Sequence, residues 1–182
     1  VLLSILAGVE VASLAARFPA TGAIVRIMPN LAAAIGKSPL GLFGAGLDEA
    51  QRRAVDALLT PLGAAEWLAS EDLLDAVTAL AGSGPAFVYR FIAALAEGGA
   101  ALGLDPAQAD RLARATVEGA AMLAAASADD PAVLARRVTS PGGTTAAGLA
   151  VLDQDAALAR LVAATLKAAR DRGAQLAAAA RG

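Results

Sequence analysis

The residues from Ala86 to Leu102 restrict the fold more than any other stretch of the chain. Phe87, Val88, Tyr89, Phe91, Ile92 and Leu95 fall on every side of a helix drawn through them, and Arg90 and Glu97 are its only charges. A helix that is apolar all round is buried all round. A chain of 182 residues has little of its own with which to cover both faces. The expected cover is a second copy of the chain, giving a homodimer; burial within one chain is the competing reading. Three of the six aromatic residues sit in this one helix, which suits an interface core.

Before this helix the pattern is mixed. Val1–Leu6, Ala23–Ile27, Leu40–Phe43 and Ala64–Leu68 read as short buried strands. Helix-forming composition separates them over Val9–Arg17. A second helix runs from the N-cap Asp48 to about Leu59, with Ala54, Val55, Leu58 and Leu59 on one face. Strands alternating with helices predict a mostly parallel sheet. From Glu71 onward the pattern is helical. Ser70 is expected to cap a helix with Glu71 and Asp72 in its first turn, ending at the break Ala81–Pro85. Asp105-Pro106-Ala107-Gln108 and Asp130-Pro131 start further helices ending near Ala126 and Val138. The last helix is expected from about Asp153 towards Ala178. The fold class is therefore α/β followed by all-α, with an α/β domain over 1–69 and a helical domain over 70–182.

Composition narrows the chemistry. Net charge is −2 and no basic stripe interleaves with aromatics, which argues against nucleic acid as a partner. The apolar runs are cut by Glu97, Arg111, Arg114 and Glu118 or by Gly and Pro, so no membrane-spanning segment is expected, nor a membrane partner. The chain has no cysteine and no histidine, which removes a thiolate, the commonest general base and the commonest metal ligand. The carboxylates are scattered over helix starts and surfaces, and no metal cluster is evident. Hydride transfer fits such a chain, because the cofactor carries the chemistry and the protein orients it.

Three loops are rich in small or hydroxyl residues. In Val138-Thr139-Ser140-Pro141-Gly142-Gly143-Thr144-Thr145, proline stops one helix, two glycines turn the backbone, and Thr144 and Thr145 open the next. Unpaired N–H groups at that start, beside hydroxyls, could hold a carboxylate; a plain helix–helix turn is the competing reading. Ile5-Leu6-Ala7-Gly8 and Met28-Pro29-Asn30 follow the first two strands. They either admit a flat ring at the carboxyl ends of the sheet or are ordinary strand-ending turns. No Gly-x-Gly-x-x-Gly phosphate turn occurs.

Asp75–Phe87, with Ala81-Gly82-Ser83-Gly84-Pro85-Ala86 at its centre, and Val138–Thr145 together closely resemble pyrroline-5-carboxylate reductase. Arg26-Ile27-Met28-Pro29-Asn30 is similar to that family's second cofactor loop, and Ser4–Gly8 to the strand end before it. The resemblance runs nearly the whole length of the chain. It implies a Rossmann-type parallel sheet, of which this chain holds the C-terminal half, followed by a helical dimerisation domain. It further implies reduction of the C=N bond of 1-pyrroline-5-carboxylate by NADPH or NADH to give L-proline, in the cytoplasm, by a homodimer that often assembles into decamers. The substrate would lie between the nicotinamide on one subunit and the helical-domain loop of the other.

By that resemblance, Ser140, Gly142, Gly143 and Thr144 hold the substrate carboxylate through backbone N–H groups. Thr145 binds the ring nitrogen and is the catalytic residue. Ile5, Leu6, Ala7, Gly8, Met28, Pro29 and Asn30 line the nicotinamide end. The family's phosphate loop is expected before Val1, so the chain as given is expected to bind dinucleotide weakly or not at all. Leu6 and Leu31 stand where the family more often has alanine and threonine. Two other readings compete: a non-catalytic dimerisation module or truncated inactive reductase, and a hydroxyacid dehydrogenase. The first has no use for the hydroxyls of Ser140–Thr145. The second expects a helical-domain lysine, and Lys167, on the charged stripe of the last helix, is the only one after Lys37.

Overall fold

The computed structural model describes residues 1–180. Two compact units form. One comprises residues 1–85 and the helix end from Ala164; the other comprises 86–163.

The first unit is built on a four-stranded sheet in the order β1 (Leu2–Ser4), β2 (Ile24–Met28), β3 (Ser38–Ala45), β4 (Gly63–Trp67). All four strands expected from the apolar runs are present. β1 pairs parallel with β2, and β3 with β4, but β2 and β3 run antiparallel. The cause is the connection. Only a single 3-10 turn, Leu31–Ile35, lies between β2 and β3, and a parallel return needs a dozen or more residues.

Alternation along the strands sorts the two faces. Val25, Ile27, Leu40 and Leu42 form the core with Val55 and Leu59 of α2 (Glu49–Leu59). Trp67 packs against the same core and donates its Nε1–H to Asp56 Oδ1 at 2.7 Å. Ala54 and Leu58, expected on the buried face of α2, are exposed. The other face of the sheet carries Arg26 and Gly41, the latter meeting Val77 of α3 (Leu73–Val77). α1 (Val11–Arg17) buries Leu14.

α2 starts as its sequence demands. Asp48 Oδ1 accepts the Gln51 N–H at 2.8 Å, and Gln51 Oε1 accepts the Asp48 N–H at 3.1 Å. Such a reciprocal cap satisfies two otherwise orphan donors. Asp48→Ala is expected to destabilise the sheet unit by about 1 kcal/mol, read as a lower denaturation midpoint at unchanged m-value.

Secondary structure becomes all-helical after Trp67. Ser70 does not cap α3, correcting the sequence expectation. Asp72 occupies the N-cap in helical geometry without a side-chain cap. Helical backbone then continues through a π-turn, Thr78–Gly82, into α4 (Gly84–Ala101). The expected break at Ala81–Pro85 is absent because Pro85 falls in the first turn of α4, where its missing N–H costs nothing. The resulting run Leu73–Ala101 has 29 residues and is long and apolar enough to cross a membrane by length and composition. That corrects the expectation that no such segment exists.

The helices of the second unit follow their caps. Asp105 accepts the N–H groups of Ala107 and Gln108 at the head of α5 (Pro106–Ala126), and Asp130 accepts that of Ala132 at the head of α6 (Pro131–Arg137). The side chain of Arg114 hydrogen-bonds Asp110 one turn earlier and holds its carboxyl below the ordinary range. α7 (Thr144–Asp153) is followed by a kink with Asp155 and Ala156 at positive φ, so α8 begins at Ala157 rather than near Asp153.

α4 has no buried residue. Phe91 is 47% exposed and Tyr89 61%, with Val88 and Leu95 also open. The helix that the sequence marks for burial on all sides is thus only partly covered within one chain.

Candidate functional site

β1 and β2 are parallel neighbours, with Ser4 opposite Arg26. Their carboxyl ends therefore open at the same sheet edge, the position at which open α/β sheets take ligands. The two loops picked out in the sequence, Ile5–Gly8 and Met28–Asn30, lie there together. Ile5 is 67% and Leu6 56% exposed, and Leu31 beyond the second loop is also open. These side chains offer an apolar surface that fits the face of a flat ring. Gly8 ends the first loop at φ +74°, and a Cβ placed on it would press the Ala177 backbone of α8 (Ala157–Ala180) at 3.3 Å. Only glycine meets both conditions without strain.

Asn30 holds the second loop in shape. Its Oδ1 accepts the Ala32 N–H at 2.9 Å and its Nδ2 donates to the Ala81 carbonyl, in the π-turn, at 2.9 Å. Its own N–H donates to Ser38 Oγ at 2.9 Å, and that hydroxyl donates to the Pro39 carbonyl. The amide of Asn30 thus works mainly to brace the loop. Ser38 is fully buried.

Beneath the loops sits an ion pair that sequence reasoning missed. Arg26, its side chain only 7% exposed, donates from Nη1 to Glu71 Oε1 at 2.8 Å. The same oxygen accepts the N–H of Val11, the first residue of α1, at 2.7 Å. A cavity of about 400 Å³ opens beside them, lined by Gly8, Glu10, Arg26, Glu71, Asp72 and Asp75. Glu71 stands 45 residues from Arg26 and 60 from Val11, so no local spacing could reveal the contact.

The third loop belongs to the second unit. Thr139 closes α6 by donating its Oγ1–H to the Ala135 carbonyl. Gly143 N–H donates to the Ser140 carbonyl at 3.0 Å, and Gly142 lies at φ +70°. Gly143 is the N-cap of α7 and has no side chain with which to cap it. A Cβ there would collide with Ser140 Oγ. The first helical hydrogen bond is Ala147 N–H to the Gly143 carbonyl. Among the described residues, the N–H groups of Thr144, Thr145 and Ala146 are therefore left without a protein acceptor. Thr144 and Thr145 are exposed. Three free donors, hydroxyls and a positive helix end make a seat for an anion. The structure thus places Ser140, Gly142, Gly143, Thr144 and Thr145 in one loop, and Ile5, Leu6, Ala7, Gly8, Met28, Pro29 and Asn30 at one sheet edge.

A Rossmann-type sheet with two loops at its carboxyl edge, and a helical unit with exposed apolar side chains, define a two-part α/β and all-α protein. Residues 71–176 match the family described as pyrroline-5-carboxylate reductase dimerisation. The pyrroline-5-carboxylate reductase of Pseudomonas aeruginosa is 41% identical over 177 residues, 97% of this chain and 64% of that protein. A structure of a pyrroline-5-carboxylate reductase from Coxiella burnetii superposes with a TM-score of 0.91 at 33% identity, over 96% of this chain and 64% of that one. The Plasmodium falciparum pyrroline carboxylate reductase with NADP bound gives a TM-score of 0.80 at 26% identity, over 95% and 66%. The chain belongs to the pyrroline-5-carboxylate reductase family. It spans a little under two thirds of the length of the curated relatives it matches.

Proposed function

We propose that the protein is an NAD(P)H-dependent oxidoreductase that reduces the C=N bond of 1-pyrroline-5-carboxylate to give L-proline. The observation that carries this reading is the start of α7, where the N–H groups of Thr144, Thr145 and Ala146 stand free beside the Ser140 and Thr145 hydroxyls. A ring acid with its carboxylate on the carbon next to a basic nitrogen matches that set. The N–H groups hold the carboxylate. The Thr145 hydroxyl hydrogen-bonds the ring nitrogen and stabilises the charge that changes there during reduction.

Bound NADPH or NADH supplies the hydride, which adds to the imine carbon while the ring nitrogen gains a proton. Ile5, Leu6, Ala7, Gly8, Met28, Pro29 and Asn30 orient the nicotinamide end. The sheet edge and the exposed Ile5 and Leu6 side chains support that role, and the NADP bound to the Plasmodium relative agrees with the choice of cofactor. A cytoplasmic setting goes with this reading.

We further propose a homodimer through α4, able to assemble into decamers. Its support is the open aromatic face of α4 together with an apolar cavity lined by Leu123, Ala124, Pro131, Leu134 and Val138. The test is a proline-forming assay on the full gene product, following NADPH loss with 1-pyrroline-5-carboxylate. Stoichiometric proline formation is expected. No turnover with either NADPH or NADH would overturn the reading and favour a non-catalytic dimerisation module.

A further inference from the structure

We infer that Glu71 is a positioning residue that sets the two cofactor-end loops against each other; what the loops bind rests on the function proposed above. One oxygen, Glu71 Oε1, receives both the Val11 N–H at 2.7 Å and the Arg26 guanidinium at 2.8 Å. Val11 opens α1 three residues after Gly8, and Arg26 stands two residues before Met28. A single carboxylate therefore ties the chain just past the first loop to the chain just before the second.

The bond serves each partner in a way that nothing on its own element does. α1 begins at Glu10 without a side-chain cap, so the carboxylate from Glu71 takes the place of that cap. Arg26 lies in the middle of the sheet with its side chain almost wholly buried, and a buried guanidinium requires a paired charge. Glu71 itself is about three quarters buried. Neutralising it loosens two attachments at once. The loops then lose their mutual spacing although the sheet and its core, on the opposite face, remain.

The test uses the full gene product and two variants, Glu71→Gln and Glu71→Ala. The glutamine keeps an acceptor of the same shape and loses the charge, so it tests positioning in a protein that still folds. Glu71→Gln is expected to raise KM for NADPH by about tenfold, within the roughly hundredfold that an ångström of misplacement can cost. KM for 1-pyrroline-5-carboxylate should stay within about twofold, because the carboxylate seat is in the other unit. The melting temperature should fall, because Arg26 loses its paired charge, but the protein should stay folded at the assay temperature. Glu71→Ala should be worse than Glu71→Gln on the cofactor constant. An unchanged KM for NADPH in folded Glu71→Gln overturns the inference. So does a parallel loss in both substrate constants that tracks the melting temperature.

Amide exchange gives a readout independent of catalysis. The Val11 amide should exchange about tenfold faster in Glu71→Gln, with the amides of β3 unchanged. If wild type shows no reduction of 1-pyrroline-5-carboxylate, the functional reading fails while this measurement still decides the clamp. Unaltered exchange at Val11 overturns the clamp even if the enzyme is active.

Discussion

Phe91→Asp is expected to convert the proposed dimer into a monomer. Phe91 is 47% exposed in the single chain and lies on α4 with Val88, Tyr89 and Leu95, which are open as well. In a two-fold interface each substitution counts twice. About half of each Phe91 is left to be buried by the partner, so losing the two removes about 1.5–3 kcal/mol, and two carboxylates enter an apolar interface without partners. At 1.4 kcal/mol per tenfold, dissociation should strengthen by about a thousandfold or more. Sedimentation velocity at micromolar protein reads this directly. No residue of α4 is fully buried in the isolated chain, and Phe91 is about half exposed there, so the monomer should keep its far-ultraviolet helix signal. A Phe91→Asp protein that sediments as a dimer would place the interface elsewhere.

Thr145→Ala is expected to lower turnover of the full gene product by about tenfold or more, the cost of one hydrogen bond to a charge that changes in the transition state. The structure makes this a clean experiment. The Thr145 side chain is exposed at the second position of α7, and the helix has no side-chain cap to lose. Its hydroxyl can be removed without loosening the fold. The three N–H donors that seat the carboxylate belong to the backbone and survive, so KM for 1-pyrroline-5-carboxylate should change less than kcat. Thr145→Ser, which keeps the hydroxyl, should restore most of the rate. Equal activity in wild type and Thr145→Ala would remove the hydroxyl from the mechanism.

The two variants probe features that the sequence displayed openly. The α4 pattern was legible because six large apolar residues surround one helix. The helix starts at Asp48, Asp105 and Asp130 were legible because a capping acid acts on N–H groups two or three residues away. The strands were legible as short apolar runs closed by glycine or proline. The loop at Ser140–Thr145 was legible for the same local reason.

Features that depend on distant partners were not legible. β3 runs against β2 because of the turn at Leu31–Ile35, which has no periodic signature. The stretch Ala81–Pro85 looked like a helix end, yet the chain absorbs it with an i to i+5 bond from Ser83 N–H to the Thr78 carbonyl. Ser70 looked like a cap because it precedes two acids. One of those acids is instead committed to Arg26 and Val11, across the sheet. At the candidate site the sequence therefore exposed the parts that would touch ligands and concealed the braces, Ser38, Glu71 and the Ala81 carbonyl, which act through tertiary contact.

The hydrogen bond from Asn30 to the Ala81 carbonyl also bears on the head of the helical run Leu73–Ala101. Within hydrocarbon a helix must satisfy its backbone from inside itself. Here a carbonyl at the ninth residue of the run is satisfied by an amide from the sheet edge, and Leu74 and Ala79 are buried in the same unit. A lipid bilayer would have to strip away that amide and with it the brace of the Met28–Asn30 loop. For the head of this run, keeping that bond and entering hydrocarbon exclude one another. The contact that shapes the loop also keeps a greasy helix committed to protein.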